Sequence, residues 1–333
     1  MPPPLRLVML GTKDFALPTF LALLKTGHEV VALVTQPDRP QGRKQELIPS
    51  RIKAEAVRLG VRVEQPKDVN APEGVELIRS MRPDLLVTAA YGQILSAELL
   101  GAAPRGGINL HGSVLPKYRG AAPVARAIQE GESETGVTVI AMSPRVDAGG
   151  MIAVARTPIG PDETAGELEE RLARLGAPLV VEAVDALAAG AAEVIPQDPA
   201  LATKAPKLRK ESGVIDWSRS ARRIHDLVRA MQPWPASSTH WHPSGPGKPP
   251  VRLIVHRAMA IDGVGEPGRV IAAGPSGFDV AAGSGAVRLV TLQVPGRKAM
   301  PAAEFLRGHA VQPGDLLGPD SPGSPVAPAG ESS

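Results

Sequence analysis

An amide and an imidazole lie two residues apart where an apolar run meets a glycine-containing loop. They belong to Asn109 and His111. In an extended strand, side chains two residues apart point to the same side, so these two can converge on one point. An amide donor beside an imidazole can stabilise an oxyanion and move a proton, as acyl transfer requires. An isolated Asn-x-His pair can also serve only to satisfy loop backbone, so further groups are needed.

A carboxylate follows a second strand-like run. The apolar residues 136–142 lead into a glycine-rich loop that contains Asp147. A carboxylate can orient a histidine and favour its charged form. Asn109, His111 and Asp147 are therefore the candidate catalytic residues. We expect them at the carboxyl ends of neighbouring strands, where α/β sheets bind their ligands.

The pattern along the chain predicts two domains. Strand-like and helix-like segments alternate over residues 1–189, which predicts an α/β domain with a mostly parallel sheet. Residues 190–211 lack a strong period and are predicted to be a linker. Residues 212–318 contain short strand-like runs separated by glycine turns, as in a small β-barrel. Residues 319–333 are rich in Pro, Gly, Ser and Ala, which is typical of a disordered tail.

Composition excludes several classes of protein. The chain of 333 residues has no cysteine, which rules out disulfides, thiolate metal sites and a cysteine nucleophile. No apolar run approaches the roughly 20 residues of a membrane helix, and residues 1–4 are not expected to form a signal peptide. We therefore expect a cytoplasmic protein. The loop at 11–14 lacks the Gly-x-Gly-x-x-Gly pattern, so nicotinamide or flavin binding is not indicated.

Basic residues cluster locally although the formal net charge is only +3. Each cluster alone is also compatible with an ordinary solvated surface, but together they favour a polyanionic substrate. The first cluster comprises Arg39, Arg43, Lys44, Arg51 and Lys53, the second Lys204, Lys207, Arg209 and Lys210, and the third Arg219, Arg222, Arg223 and Arg229.

These motifs together resemble a known family. Asn109, His111, the loop 113–120 and Asp147 are similar to the folate-dependent formyltransferases. Further matching segments identify the branch that formylates an aminoacylated tRNA, and they lie at 11–16, 35–43, 90–92, 205–208, 215–217, 233–235 and 296–300. The resemblance covers about residues 5–317. It implies a Rossmann-like formyltransferase domain followed by an OB-like domain that binds tRNA.

The resemblance also implies substrates and their sites. The formyl donor would be 10-formyltetrahydrofolate, the acceptor would be the α-amine of methionyl initiator tRNA, and no metal is expected. The implied folate site comprises Ser113, Val114, Leu115, Pro116, Tyr91, Gly92 and Ile94. The implied tRNA contacts are Arg43, Arg39, Lys44, Lys207 and Lys210. We expect a monomer with neither a membrane nor DNA as partner.

Two other functions remain open at this stage. A related formyltransferase could act on a small amine, and a non-catalytic protein could bind RNA through the basic clusters. The set of Asn109, His111 and Asp147 argues against a protein that only binds. The basic loop at 37–49 and the appended β domain argue against a small amine.

Overall fold

The computed structural model describes residues 3–41, 46–245 and 248–320. Contacts between residues divide the chain into two compact units. The N-terminal unit comprises Met1–Pro123, Glu134–Pro158 and Glu167–Pro206, and the C-terminal unit comprises Val124–Ser133, Ile159–Gly166 and Lys207–Ser333. Within the described residues, no helix is long and apolar enough to cross a membrane.

The helices and strands follow one another along the chain much as the pattern predicts. The helices are α1 Leu17–Leu23, α2 Arg51–Arg58, α3 Pro72–Ser80, α4 Ala97–Leu100, α5 Pro123–Gln129, α6 Ala165–Ala188, α7 Ala221–Ala230 and α8 Ala302–Gly308. The first strands are β1 Arg6–Gly11, β2 Glu29–Val34, β3 Arg39–Gln41, β4 Glu46–Ile48, β5 Val63–Glu64, β6 Leu85–Ala89, β7 Gly107–His111, β8 Arg119–Gly120, β9 Glu134–Ala141, β10 Met151–Pro158 and β11 Lys204–Ala205. The remaining strands are β12 Ser237–His242, β13 Val251–Ile261, β14 Val270–Gly274, β15 Gly277–Ala281, β16 Ala286–Gln293, β17 Met300–Pro301 and β18 Leu316–Gly318.

A seven-stranded sheet forms the centre of the N-terminal unit, with the order β10-β9-β7-β6-β1-β2-β5. The five strands from β7 to β5 are parallel. Strand β6 is buried at every residue and β1 at all but its first, as expected for strands that are covered on both faces. The predicted α/β fold with a mostly parallel sheet is therefore confirmed.

Strand β9 runs antiparallel to β7, and β10 runs antiparallel to β9, which corrects the expected position of Asp147. Strand β9 pairs with β7 so that Ala141 lies opposite Ile108, while His111 lies opposite Thr138. The end of β9 is therefore at the opposite end of β7 from His111. The loop 142–150 has to return along the sheet to bring Asp147 to the imidazole. Alternating apolar residues do not distinguish a parallel strand from an antiparallel one, so the sequence could not predict this reversal.

The segment predicted to be a linker is partly ordered against the N-terminal unit. Strand β11 pairs with β8 in parallel, and Ala205 is fully buried. A short 3-10 helix at Pro199–Leu201 precedes it. The domain boundaries inferred from the sequence stay a prediction.

The C-terminal unit is built on an antiparallel sheet with the order β14-β15-β16-β13-β12-β18. The two ends of this order meet, because Val270 N donates to Asp315 O at 2.9 Å and Leu317 N donates to Gly268 O at 2.7 Å. The sheet curls around a core that includes Trp217, Trp241, Phe278 and Phe305. These features agree with the predicted small β-barrel. Strand β17, helix α8 and strand β18 were not predicted.

Gly136 allows β9 and β10 to pair closely. A Cβ atom at this position would lie 2.0 Å from Ala155 O. We therefore expect Gly136→Ala to lower the free energy of unfolding by about 1–3 kcal/mol, the usual cost of overpacking. Urea unfolding measures this loss. Gly27→Ala is the matched control, since nothing lies within 4 Å of its added Cβ. Equal stability of the two variants would contradict the steric explanation.

Candidate active site

Asn109 is held by its neighbour on the adjacent strand. The register of β6 and β7 places Thr88 opposite Asn109, and Thr88 Oγ1 donates to Asn109 Oδ1 at 2.7 Å. Thr88 is 3% exposed. Because the amide oxygen accepts this hydrogen bond, the Asn109 Nδ2 group is left to act as a donor. Sequence reasoning missed Thr88, and only the inter-strand register could have revealed it.

His111 lies between two hydrogen-bond acceptors. Its Nε2 is 2.9 Å from Tyr118 O, and its Nδ1 is 3.5 Å from Asp147 Oδ2. A carbonyl oxygen can only accept, so Nε2 carries a proton in this arrangement. The side chain is only 6% exposed, so water competes little with these contacts.

Asp147 is fixed by contacts to its side chain and to its backbone. Its Oδ2 accepts from Gly120 N at 2.8 Å, and the side chain is 14% exposed. Gln197 Nε2 donates to Asp147 O at 2.8 Å and to Gly149 O at 2.7 Å. Gln197 Oε1 in turn accepts from the Arg119 guanidinium at 2.7 Å and 3.0 Å. Sequence reasoning missed Gln197 because fifty residues separate it from Asp147.

The loop after His111 is folded back onto β9. Thr138 Oγ1 donates to Ser113 O at 2.7 Å and accepts from Leu115 N at 3.1 Å. The Ser113 hydroxyl donates to Lys117 O at 2.6 Å. Ser113 and Leu115 are buried, whereas Val114 and Pro116 keep some exposed surface. Of the four residues predicted to border folate here, only Val114 and Pro116 therefore have side chains that a ligand can reach.

The other predicted folate residues lie in the loop after β6. Tyr91 is 4% exposed and packs in a core cluster with Val69 and Leu95. Burial raises the pKa of its phenol well above the usual range. Gly92 adopts φ +99°, a conformation that favours glycine, and Ile94 is 63% exposed. Ile94 is thus accessible, while the Tyr91 ring supports the loop from inside.

Loops from three parallel strands are tied together at their carboxyl ends. Thr12 Oγ1, after β1, donates to Tyr91 O at 2.8 Å. The same oxygen is 3.3 Å from Thr35 Oγ1 and accepts from Gln36 N at 3.2 Å, both at the end of β2. This edge is where open α/β sheets bind ligands.

The predicted tRNA residues are exposed wherever the structure describes them. Arg39 is exposed on β3, which pairs with β4 in a hairpin, while Arg43 and Lys44 lie outside the described residues. Lys207 and Lys210 are exposed. Within the described part of the chain, neither of these lysines has a carboxylate at ion-pair distance. They remain free to meet an anionic ligand.

Many of the other basic side chains form ion pairs with carboxylates of the same chain. Lys53 is hydrogen-bonded to Asp38 and holds the pKa of that carboxyl below its usual value. In the third cluster, Arg222 and Arg229 both pair with Asp226. The remaining pairs are Arg51 with Asp14, Arg219 with Asp216 and Arg223 with Glu130. Fewer of these basic side chains are therefore available to bind a polyanion than their number in the sequence suggests.

The arrangement suits acyl transfer. An oriented amide donor lies two residues away along β7 from an imidazole that faces a fixed carboxylate. These groups can stabilise an oxyanion and move a proton. Among the described residues, no group of three or more His, Asp or Glu side chains is placed to hold a metal ion.

Both parts of the chain match models of one protein family. The model described as formyl transferase matches residues 5–184, and the model described as formyl transferase, C-terminal domain, matches residues 207–310. The methionyl-tRNA formyltransferase of Moorella thermoacetica is 44% identical over 316 residues, which are 94% of this chain and 99% of that protein. The enzyme of the same name from Citrifermentans bemidjiense is 45% identical over 94% of this chain and 96% of that protein.

Solved structures share the fold at much lower identity. An N-formyltransferase from Helicobacter canadensis, in complex with folinic acid and dTDP-3-aminofucose, superposes with a TM-score of 0.64 at 16% identity and covers 86% of this chain and 98% of its own. HypX from Aquifex aeolicus, in complex with tetrahydrofolic acid, superposes with a TM-score of 0.61 at 18% identity. That match covers 91% of this chain but only 47% of HypX. The solved structures share the fold, and the family models and curated relatives show that the chain belongs to the methionyl-tRNA formyltransferase family of formyl transferases.

Proposed function

We propose that this enzyme transfers the formyl group of 10-formyltetrahydrofolate to the α-amino group of methionyl initiator tRNA, for translation initiation. The observation that supports it most is the amide of Asn109, oriented by Thr88, next to the buried pair of His111 and Asp147. Relatives that share 44–45% of its residues over nearly the whole chain are named for this reaction.

The reaction begins when the neutral amine of methionine attacks the formyl carbon. A new C–N bond forms and the former carbonyl oxygen becomes negatively charged. Asn109 Nδ2 donates a hydrogen bond to this oxyanion, because Thr88 already occupies the amide oxygen. A preorganised donor of this kind stabilises the charge that develops in the transition state.

The second step breaks the bond between the formyl carbon and the folate nitrogen. The amine loses a proton and the departing folate nitrogen gains one. His111 and Asp147 move this proton, with His111 Nδ1 facing the carboxylate at 3.5 Å. His111 Nε2 already donates to Tyr118 O, so we assign the transfer to the Nδ1 side of the ring and to Asp147.

Folate is proposed to lie along the loops 91–94 and 113–116. Val114, Pro116 and Ile94 would pack against the pterin, since their side chains have exposed surface. Ser113, Leu115, Tyr91 and Gly92 would shape the pocket through their backbone or through packing from inside.

The tRNA is proposed to bind through basic residues of both units. Arg39, Arg43 and Lys44 would hold the acceptor end, and Lys207 and Lys210 would contact phosphates. Phosphate contacts position a nucleic acid without reading its sequence. We propose that residues 1–189 form the catalytic domain, 190–211 a linker and 212–318 the domain that binds tRNA, in a monomer that acts in the cytoplasm.

One assay distinguishes the proposed reaction from formylation of a small amine and from RNA binding without transfer. Labelled 10-formyltetrahydrofolate is incubated with the protein and either methionyl initiator tRNA or small amines. Formylmethionine on the tRNA supports the proposal, formylation only of a small amine supports the second function, and tRNA binding without transfer supports an RNA-binding protein.

Asn109 and Thr88 should affect turnover to different degrees. We expect Asn109→Ala to lower kcat by about 100- to 1000-fold, as loss of an oxyanion donor does. Thr88→Val should cause a smaller loss of about 2- to 10-fold, the value of one neutral hydrogen bond, because the amide loses its fixed orientation. Thr88→Ser keeps the hydroxyl and is the control. Steady-state kinetics measure these effects, and wild-type turnover in folded Asn109→Ala protein would refute the assigned role.

Arg43 should matter for tRNA and not for folate. It lies in the basic loop, between Gly42 and Lys44. We expect Arg43→Ala to weaken tRNA binding and to leave folate binding unchanged, because the side chain neutralises phosphate charge. Arg43→Lys should restore only part of the affinity if the guanidinium makes a bidentate contact. Binding of each ligand is measured separately across a salt series, and an equal loss for both ligands would show that the loop does not hold the tRNA.

A further inference from the structure

One aromatic side chain is displayed on the surface of the C-terminal unit. Trp234 is 53% exposed, whereas Trp217 and Trp241 are 5% and 4% exposed. The four phenylalanines and Tyr91 are also buried, and Tyr118 is half-buried. An indole left in water forgoes much of the free energy that its burial would give.

The loop that holds Trp234 is well fixed. Pro233 and Pro235 flank the indole and restrict the backbone on both sides. Ala236 N donates to Met231 O at 2.8 Å and closes the loop onto the end of α7. The exposed position of Trp234 is thus determined by ordered backbone.

A basic segment packs beside this loop. The 3-10 helix Lys210–Gly213 contacts the start of β12, and a Cβ at Gly213 would lie 2.1 Å from Ala236 O. Lys207, Arg209 and Lys210 are all exposed. Within the described residues, none of the three has an ion-pair partner. This contrasts with the arginines of α7, which are paired with acids.

We propose that Trp234 is a stacking platform for an unpaired base of the tRNA substrate, with Lys207 and Lys210 on the neighbouring phosphates. This inference rests on the proposed function, which makes tRNA the partner. A fixed exposed aromatic ring beside unpaired cations is the combination with which proteins bind single-stranded nucleotides. An apolar protein partner would have to desolvate the three cations without neutralising them, so the charge favours a nucleic acid.

The proposal predicts different effects on tRNA binding for loss of the base stack and for loss of a phosphate contact. Removing one base–aromatic stack should weaken tRNA binding by about 5- to 150-fold. We expect this loss for Trp234→Ala and for Trp234→Leu, whereas Trp234→Phe should retain part of the affinity. The salt dependence of binding should not change in these variants, because no phosphate contact is lost. Lys210→Ala should instead lower the slope of log K against log salt by about 0.7 to 0.9.

The tryptophan itself reports occupancy of the site. Since the other two indoles are buried, quenching of fluorescence by acrylamide in the free protein should come mainly from Trp234. We expect tRNA to protect the wild type from quenching and to have no such effect on Trp234→Phe. Val264 is 96% exposed in the same unit, so Val264→Ala is the control for loss of an exposed apolar side chain. Circular dichroism and thermal melting verify that each variant is folded.

The test distinguishes this inference from the proposed reaction. Weaker tRNA binding in Trp234→Ala and Trp234→Leu, with an unchanged salt slope and wild-type folate binding, supports the stacking platform. Wild-type tRNA affinity in Trp234→Ala overturns the stacking platform and favours a protein partner for the exposed indole. A wild-type chain that binds tRNA through Trp234 but transfers no formyl group overturns only the reaction, and a chain that binds no tRNA overturns both.

Discussion

The site depends on holding a carboxylate beside a buried imidazole. Asp147 Oδ2 accepts from Gly120 N and faces His111 Nδ1, and its loop is held by two hydrogen bonds from Gln197. Removing a carboxylate and an imidazole from water is costly unless both are paired. The carboxylate meets Gly120 N and the imidazole, and the imidazole also meets Tyr118 O, so both groups are paired before any substrate binds. Gln197 instead holds the backbone of the loop.

This requirement explains several features of the N-terminal unit. Because β9 runs antiparallel to β7, the loop that follows β9 must return along the sheet. This close return requires glycine at position 149, since a Cβ atom there would lie 1.7 Å from Ala141 O. The segment between α6 and β11 supplies Gln197, which lies nine residues after the end of α6 and seven before the start of β11. The region predicted to connect domains thus also stabilises the site. Arg119 completes the contact through Gln197 Oε1.

The sequence predicted the central features because local patterns determine them. Buried apolar runs identified β1 and β6, and the Asn-x-His spacing on β7 identified Asn109 and His111. Contacts between distant segments could not be predicted in this way. The register that pairs Thr88 with Asn109 and the hydrogen bonds of Gln197 depend on how strands and loops meet in three dimensions. The exposure of Trp234 likewise follows from a loop geometry that hydrophobicity alone would not suggest.

The central claim is that His111 and Asp147 act as one unit in proton transfer. A double-mutant cycle of His111→Ala and Asp147→Asn, read as kcat for formyl transfer to methionyl initiator tRNA, tests it most directly. Residues that act as a unit are strongly non-additive, so the double variant should be about as slow as the slower single variant. If the two losses multiply, the residues contribute independently and the account is wrong.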